Sequence, residues 1–154
     1  MKKLVTLLLV VIATSLIGCS SDDSGESIEE GFFLKFTYNG EQYSFEPQTG
    51  TSLQKVIFGM ENVNDVQTRL TLYLPKNPSV GTFEITNDTP TDQNLATLHN
   101  AALDLGDITF AGTSGTLKIT SLTEDIIKGT FSFTGTDENG ETVTVTNGSF
   151  TAFN

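Results

Sequence analysis

The side chains that carry nucleophilic or acid–base chemistry in enzymes are scarce in this sequence. Its 154 residues include one histidine, His99, and one cysteine, Cys19. A nucleophilic triad needs a base that an acid positions, and a zinc site needs three or four nitrogen or sulfur ligands. No Gly-x-Ser-x-Gly nucleophile motif accompanies His99, which we therefore expect to be a structural or surface residue. We predict no catalytic, cofactor-binding or metal-ligating residue, and no enzymatic activity.

Acidic side chains are numerous, with 14 of them between Gly31 and Asn154. Two carboxylates at a suitable spacing can hydrolyse a glycosidic bond. The clusters lie beside glycine or turn-forming residues, which is typical of solvated turns; they are Asp104/Asp107, Glu124/Asp125 and Asp137/Glu138/Glu141. Asp137, Asn139 and Glu141 could offer oxygen ligands to calcium, but the segment lacks the twelve-residue EF-hand loop. A carboxylate-dependent hydrolase is therefore the less favoured alternative.

Aromatic residues are the other candidates for ligand contact. The rings of Tyr38, Tyr43 and Tyr73 could stack on a ligand and their hydroxyl groups could bond to it. The chain has no tryptophan, which counts against a sugar-stacking platform. The eleven phenylalanines follow strand periodicity and are more simply explained as core. If about eight strands close into a barrel, the interior is either filled or holds one small apolar ligand, as in a lipocalin-like carrier.

The charge balance excludes some partners. The formal net charge is −11, and it becomes −13 once Lys2 and Lys3 are removed with a signal peptide. A chain this acidic is repelled by nucleic acid and by anionic bilayers, so we expect neither to bind it electrostatically.

From Gly31 to Asn154 the pattern is that of short strands separated by turns. Asn39-Gly40 predicts a type I′ hairpin between residues 33–38 and 41–45, which Pro47 and Gly50 are expected to end. Further strands are predicted over residues 52–60, 66–74, 81–86, 116–122 and 126–135, and from residue 142 onward. About nine or ten strands of this kind predict a single antiparallel β-sandwich or β-barrel.

Three segments of this domain leave finer questions. Residues 95–105 fit both a helical stripe and strand parity. Residues 111–115 are expected to form a loop. At Asn147-Gly148 the inward parity shifts to Phe150 and Ala152, which predicts a bulge with glycine in the left-handed conformation.

The first 18 residues have the character of a targeting segment. Met1-Lys2-Lys3 is followed by an apolar run over residues 4–17. At about 1.5 Å per residue this run spans roughly 21 Å as a helix, which is shorter than a hydrocarbon core of about 30 Å. Leu16-Ile17-Gly18-Cys19 resembles the lipobox of bacterial lipoproteins. The resemblance implies cleavage between Gly18 and Cys19, removal of residues 1–18 and acylation of Cys19, which leaves no free thiol.

Residues 19–30 are expected to be an acylated cysteine followed by a disordered acidic tether. Residues 20–30 hold one apolar side chain and five acids, too little apolar surface to offset chain entropy. Ser20 after the cysteine resembles the outer-membrane sorting pattern of lipoproteins. The run Cys-Ser-Ser-Asp-Asp-Ser-Gly resembles the surface-export signal of Bacteroidota lipoproteins, which implies a domain facing the cell exterior, with the periplasmic face as the alternative.

Four blocks of the domain carry a resemblance to a family. They are residues 81–86, 114–120, 127–134 and 145–150, and they resemble the conserved blocks of an uncharacterised family of small Bacteroidota lipoproteins. The resemblance implies an all-β domain of unknown function and an extracytoplasmic location, and it favours a strand over residues 95–105.

Together these observations predict a lipid-anchored, surface-exposed outer-membrane lipoprotein. Its non-enzymatic domain is expected to bind a partner, more readily a protein through an exposed apolar patch than a small apolar ligand in a cavity.

Overall fold

The computed structural model describes residues 31–154, which form ten antiparallel strands in one sheet. The sheet curls into a half-barrel, and the described residues contain no helix. The strands are β1 Phe33–Tyr38, β2 Glu41–Phe45, β3 Gln48–Thr51, β4 Gln54–Val63, β5 Val66–Pro75, β6 Gly81–Ile85, β7 Asn100–Leu105, β8 Ile108–Leu122, β9 Ile126–Thr136 and β10 Thr142–Phe153. The prediction of a single antiparallel all-β domain is confirmed, and the sheet corresponds to the barrel alternative.

Neighbours in the chain are mostly neighbours in the sheet. The strand order is β2-β1-β10-β9-β8-β7-β5-β4-β3. The short strand β6 lies outside this order and pairs with residues 115–119 of β8, further along β8 than the residues that pair with β7. The two edge strands, β2 and β3, follow each other in the chain and are separated by Glu46 and Pro47. Before these two residues the chain pairs with β1, and after them it pairs with β4. The sheet must therefore curl until the end of β2 at Phe45 comes close to the start of β3 at Gln48, and we call this region the seam.

The interior of the curl is filled by the inward-facing side chains of every strand except β3. Leu70, Leu72 and Leu74 of β5 are fully buried, as their alternation with polar residues predicts. Phe36, Phe133 and Phe150 are the largest of the fully buried side chains. Twenty buried apolar residues form one continuous cluster. The strands are thus held by one core.

Two strand boundaries that were predicted from glycine residues are wrong, because these glycines lie within strands and not in turns. Gly50 does not end the hairpin but lies within β3, where it pairs with Val56. Residues 111–115 are not a loop, because β8 continues through them with a register shift between Gly112 and Ser114. A Cβ at Gly112 would lie 3.0 Å from the Ala101 carbonyl oxygen. Glycine at residue 112 therefore permits a close approach inside the sheet.

The ambiguous segment 95–105 is a strand only in its second part. Asn100–Leu105 forms β7, which pairs with β5 on one side and β8 on the other. Residues 92–97 form turns, so neither the helical stripe nor a strand from residue 95 is correct. The strand begins at Asn100, where pairing with Tyr73 of β5 starts, and β8 joins on the other side from Ala102 onward.

The bulge in β10 is confirmed, but a different residue carries it. The register with β9 shifts between Val145 and Gly148, and Asn147 has the positive φ of 51°. Gly148 is needed for space, since a Cβ there would lie 2.5 Å from the ring and carbonyl oxygen of Phe131. Phe150 lies inward beyond the bulge, as predicted.

The sheet has two distinct ends. At the hairpin end are the turns at residues 39–40, 64–65, 106–107 and 137–141. At the other end, which we call the Gly31 end, are the turns 52–53, 76–80 and 123–125, together with Gly31 and Asn154. The described residues contain no helix that is long and apolar enough to cross a membrane. The predicted signal peptide (1–18), its cleavage at Gly18–Cys19 and the acylated tether (19–30) lie outside the described residues.

Candidate functional site

His99 is a buried structural residue. Its ring stacks on that of Phe83 at 4.1 Å between centroids, and its Nδ1 lies 2.8 Å from the Thr97 carbonyl oxygen. Because a carbonyl oxygen only accepts, the neutral ring donates from Nδ1 and carries its lone pair on Nε2, which has no partner. Burial lowers the pKa of His99. Within residues 31–154 no group of three or more His, Cys, Asp or Glu side chains is placed to hold a metal ion.

In two of the acidic clusters, a carboxylate accepts hydrogen bonds from residues close to it in the chain. Asp137 is buried, contrary to the expectation of a solvated residue, and its Oδ1 accepts hydrogen bonds from the backbone N–H groups of Asn139 (3.0 Å) and Glu141 (2.7 Å). Asp104 accepts a hydrogen bond from Thr109 Oγ1 at 2.7 Å. The Asp137 carboxylate therefore stabilises its turn, and the Asp104 carboxylate joins β7 to β8 beside the turn 106–107.

Two of the three candidate tyrosines lie together. Tyr38 and Tyr43 face inward near the hairpin end, with ring centroids 6.3 Å apart. Tyr43 also stacks on Phe36 at 5.0 Å, so both tyrosines extend the core. The pKa of Tyr43 is raised by burial and then by the negative charge of Glu41. Tyr73 lies on the opposite side of the sheet and does not join them.

The outer surface around Tyr73 differs from the rest of the sheet. Val56, Phe58 and Met60 of β4 pair with Tyr73, Thr71 and Arg69 of β5, and all six point away from the core. Ala102 of β7 pairs with Thr71 and extends the surface. We call this set the β4–β5 face: Val56, Phe58, Met60, Arg69, Thr71, Tyr73 and Ala102.

The centre of the β4–β5 face has unpaired polar atoms. The Arg69 guanidinium lies 4.7 Å from the centroid of the Phe58 ring, a cation–π contact that holds both side chains over the sheet. Thr71 is only 1% exposed, and neither its Oγ1 nor Arg69 Nε has a hydrogen-bond partner. The face thus combines apolar contact area with one guanidinium group, while Thr71 Oγ1 and Arg69 Nε lie buried beneath its surface.

The outward residues of β8, β9 and β10 are more polar than those of the β4–β5 face. They are mostly threonine and serine, and they line an open depression of about 570 Å³ around Thr116, Thr130, Ser132 and Ser149. Lys35, Thr37 and Ser44 line an adjoining depression of about 440 Å³ on β1 and β2. Arginine is absent from this surface, and its outward aromatic ring is that of Phe33 on β1, with Lys35 Nζ 4.7 Å from the ring centroid.

Sequence reasoning identified Tyr73 but missed its neighbours Phe58 and Arg69. The available signal was parity: once Ile57 is assigned to the core, Phe58 must point outward from the same strand. An outward phenylalanine opposite an outward threonine and next to an arginine is unusual for a solvated strand.

The fold and these surfaces define an all-β domain with a filled interior and one apolar outer face. The chain belongs to the family described as Domain of unknown function (DUF6252), which matches residues 31–153. Searches of the curated proteins and of the solved structures found no significant match.

Proposed function

We propose that this protein is a lipid-anchored outer-membrane lipoprotein of Bacteroidota type, exposed at the cell surface, whose domain binds a protein partner through the β4–β5 face. It is proposed to have no enzymatic activity. The lipobox resemblance at Cys19 and the acidic run after it support the anchor and the location.

The observation that carries the binding proposal is the composition of the β4–β5 face. Tyrosine, phenylalanine, methionine and arginine are enriched in protein–protein interfaces, and tyrosine and arginine dominate their binding energy. Here Phe58, Met60, Arg69 and Tyr73 share one outer face, whereas the outward residues of β8, β9 and β10 are mostly threonine and serine. Partly exposed apolar area beside an arginine favours a protein partner that covers both.

The filled interior argues against the carrier alternative. A lipocalin-like carrier holds its ligand inside the sheet, where this domain has Phe36, Phe133 and Phe150. The hydrolase alternative needs two carboxylates that converge on a substrate. Asp104 instead accepts a hydrogen bond from its cross-strand neighbour Thr109, and Asp137 accepts two from backbone N–H groups of its own turn.

Site-specific photo-crosslinking on intact cells of the native host tests the binding face. A photoreactive amino acid replaces Met60 in one strain and Thr144, an exposed residue of β10, in the matched control. We expect a covalent adduct of defined mass at Met60 only, and we expect Arg69→Ala to reduce it. Equal crosslinking at both positions, or none at Met60, would contradict the proposed face.

The anchor is tested separately by the intact mass of the protein extracted from membranes. We expect the mass of residues 19–154 plus lipid, and loss of both cleavage and lipid in Cys19→Ser. Protease added to intact cells should degrade the domain if it faces outward. A full-length, unmodified wild-type mass would refute the anchor without affecting the binding test.

A further inference from the structure

Exposed apolar side chains collect at the Gly31 end of the domain. Phe32, Leu53, Val80 and Phe153 lie on four separate segments there and are 38%, 71%, 60% and 54% exposed. The rings of Phe32 and Phe153 stack on each other with centroids 4.0 Å apart. Phe32 and Phe153 lie at the paired ends of β1 and β10, whereas Leu53 and Val80 lie in two separate turns.

The acidic side chains are concentrated at the hairpin end of the domain, away from the exposed apolar side chains of the Gly31 end. Eight of the 14 acids of residues 31–154 lie within a few residues of the four hairpins at the other end: Glu41, Glu61, Asp65, Asp104, Asp107, Asp137, Glu138 and Glu141. The turns of the Gly31 end carry Glu124 and Asp125 together with Lys76. One end is therefore strongly acidic, and the other is much less charged and more apolar.

The chain that precedes the domain enters at the apolar end. Gly31 lies beside Phe32, and only residues 20–30 separate it from Cys19. Eleven residues span at most about 40 Å when fully extended. If Cys19 carries lipid, this length holds the Gly31 end within about 40 Å of the bilayer.

We propose that the Gly31 end rests on the lipid surface that holds the anchor, with Phe32, Leu53, Val80 and Phe153 in contact with the interface and the acidic hairpin end facing away. This inference rests on the proposed lipid anchor and specifies its geometry. Aromatic and aliphatic side chains gain contact with the headgroup–acyl boundary, while the eight acids stay clear of anionic lipid headgroups. The β4–β5 face lies along the side of the sheet and remains accessible to a partner.

Fluorescence quenching by brominated lipid tests this orientation, because the chain has no tryptophan of its own. Single tryptophans are introduced by Leu53→Trp and Val80→Trp at the Gly31 end. The matched control is Ile108→Trp, which is 47% exposed at the hairpin end. Each acylated protein is purified in detergent and reconstituted into phosphatidylcholine vesicles with or without brominated acyl chains. Vesicle flotation confirms attachment of each variant.

We expect strong quenching of the tryptophans at residues 53 and 80 and none at residue 108. Attached protein without quenching at either Gly31-end position would overturn the inference while leaving the anchor intact. Stronger quenching at residue 108 would overturn it by showing the reverse orientation. A protein that carries no lipid and does not float would overturn the proposed anchor and this inference together.

Discussion

Replacing Gly59 by alanine should push β4 away from β2, beside the seam. Gly59 lies on β4 and faces inward, opposite Leu70 of β5. A Cβ built there would lie 2.6 Å from the Cβ of Phe45 on β2 and 3.2 Å from Leu34 Cδ2. Normal contact begins near 3.4 Å, so the first distance is 0.8 Å too short. A Cβ atom cannot rotate away, so the backbones of β2 and β4 must move apart.

Overpacking of a core commonly lowers the free energy of unfolding by about 1–3 kcal/mol, and we expect about 2 kcal/mol for Gly59→Ala. Gly50→Ala is the matched control. Gly50 also lies in a strand, β3, but a Cβ there meets nothing within 4 Å. Its replacement should be neutral, or stabilising by about 0.4–1 kcal/mol, because alanine restricts the unfolded chain.

Urea unfolding of both variants, followed by far-ultraviolet circular dichroism, gives the two free energies. A difference between Gly59→Ala and Gly50→Ala of about 2 kcal/mol would support close packing at the seam. If the two variants unfold within about 0.5 kcal/mol of each other, β4 does not pack against β2 as described.

Three further outcomes are expected. Burial lowers the pKa of His99, so the unfolded chain binds a proton more readily than the folded chain does. The free energy of unfolding should therefore fall as the pH decreases from about 7.5 through about 6.5. His99→Gln should flatten this dependence in urea titrations. An unchanged slope would contradict it. Thr71→Val should leave the free energy of unfolding unchanged or raise it by up to about 1 kcal/mol, since the buried hydroxyl has no partner; a marked loss would reveal one. Asn147→Val should lower the free energy of unfolding by about 1–2 kcal/mol, because a β-branched residue is strained at the positive φ of residue 147. Asn147→Gly should unfold like the wild type in a thermal scan.

The local elements of the fold could be predicted where a pattern depends on neighbouring residues alone. Alternation in Leu70, Leu72 and Leu74 identifies the buried face of β5, because successive side chains in a strand point to opposite sides. Asn39 and Gly40 have φ values of 51° and 79°, as the type I′ hairpin requires. These features follow from backbone geometry over a few residues.

The candidate site could be predicted only in part. Tyr38, Tyr43 and Tyr73 were equivalent candidates in the sequence, yet the register of β1 with β2 and of β4 with β5 places two inward and one outward. The contact of Arg69 with Phe58 joins residues of neighbouring strands, and its place beside Thr71 depends on the pairing of β4 with β5. Such pairings are set by the whole sheet.

The sequence by itself determined an acidic chain with one histidine and one cysteine, and its periodicity predicted the all-β class that the structure shows. Only the tertiary structure decided that β2 and β3 are opposite edges of one curled sheet, that glycines 50 and 112 lie within strands, and that the interior is filled. The physical reason is that strand periodicity reports which face of a segment is buried, whereas the partner of each strand depends on contacts between residues far apart in the chain.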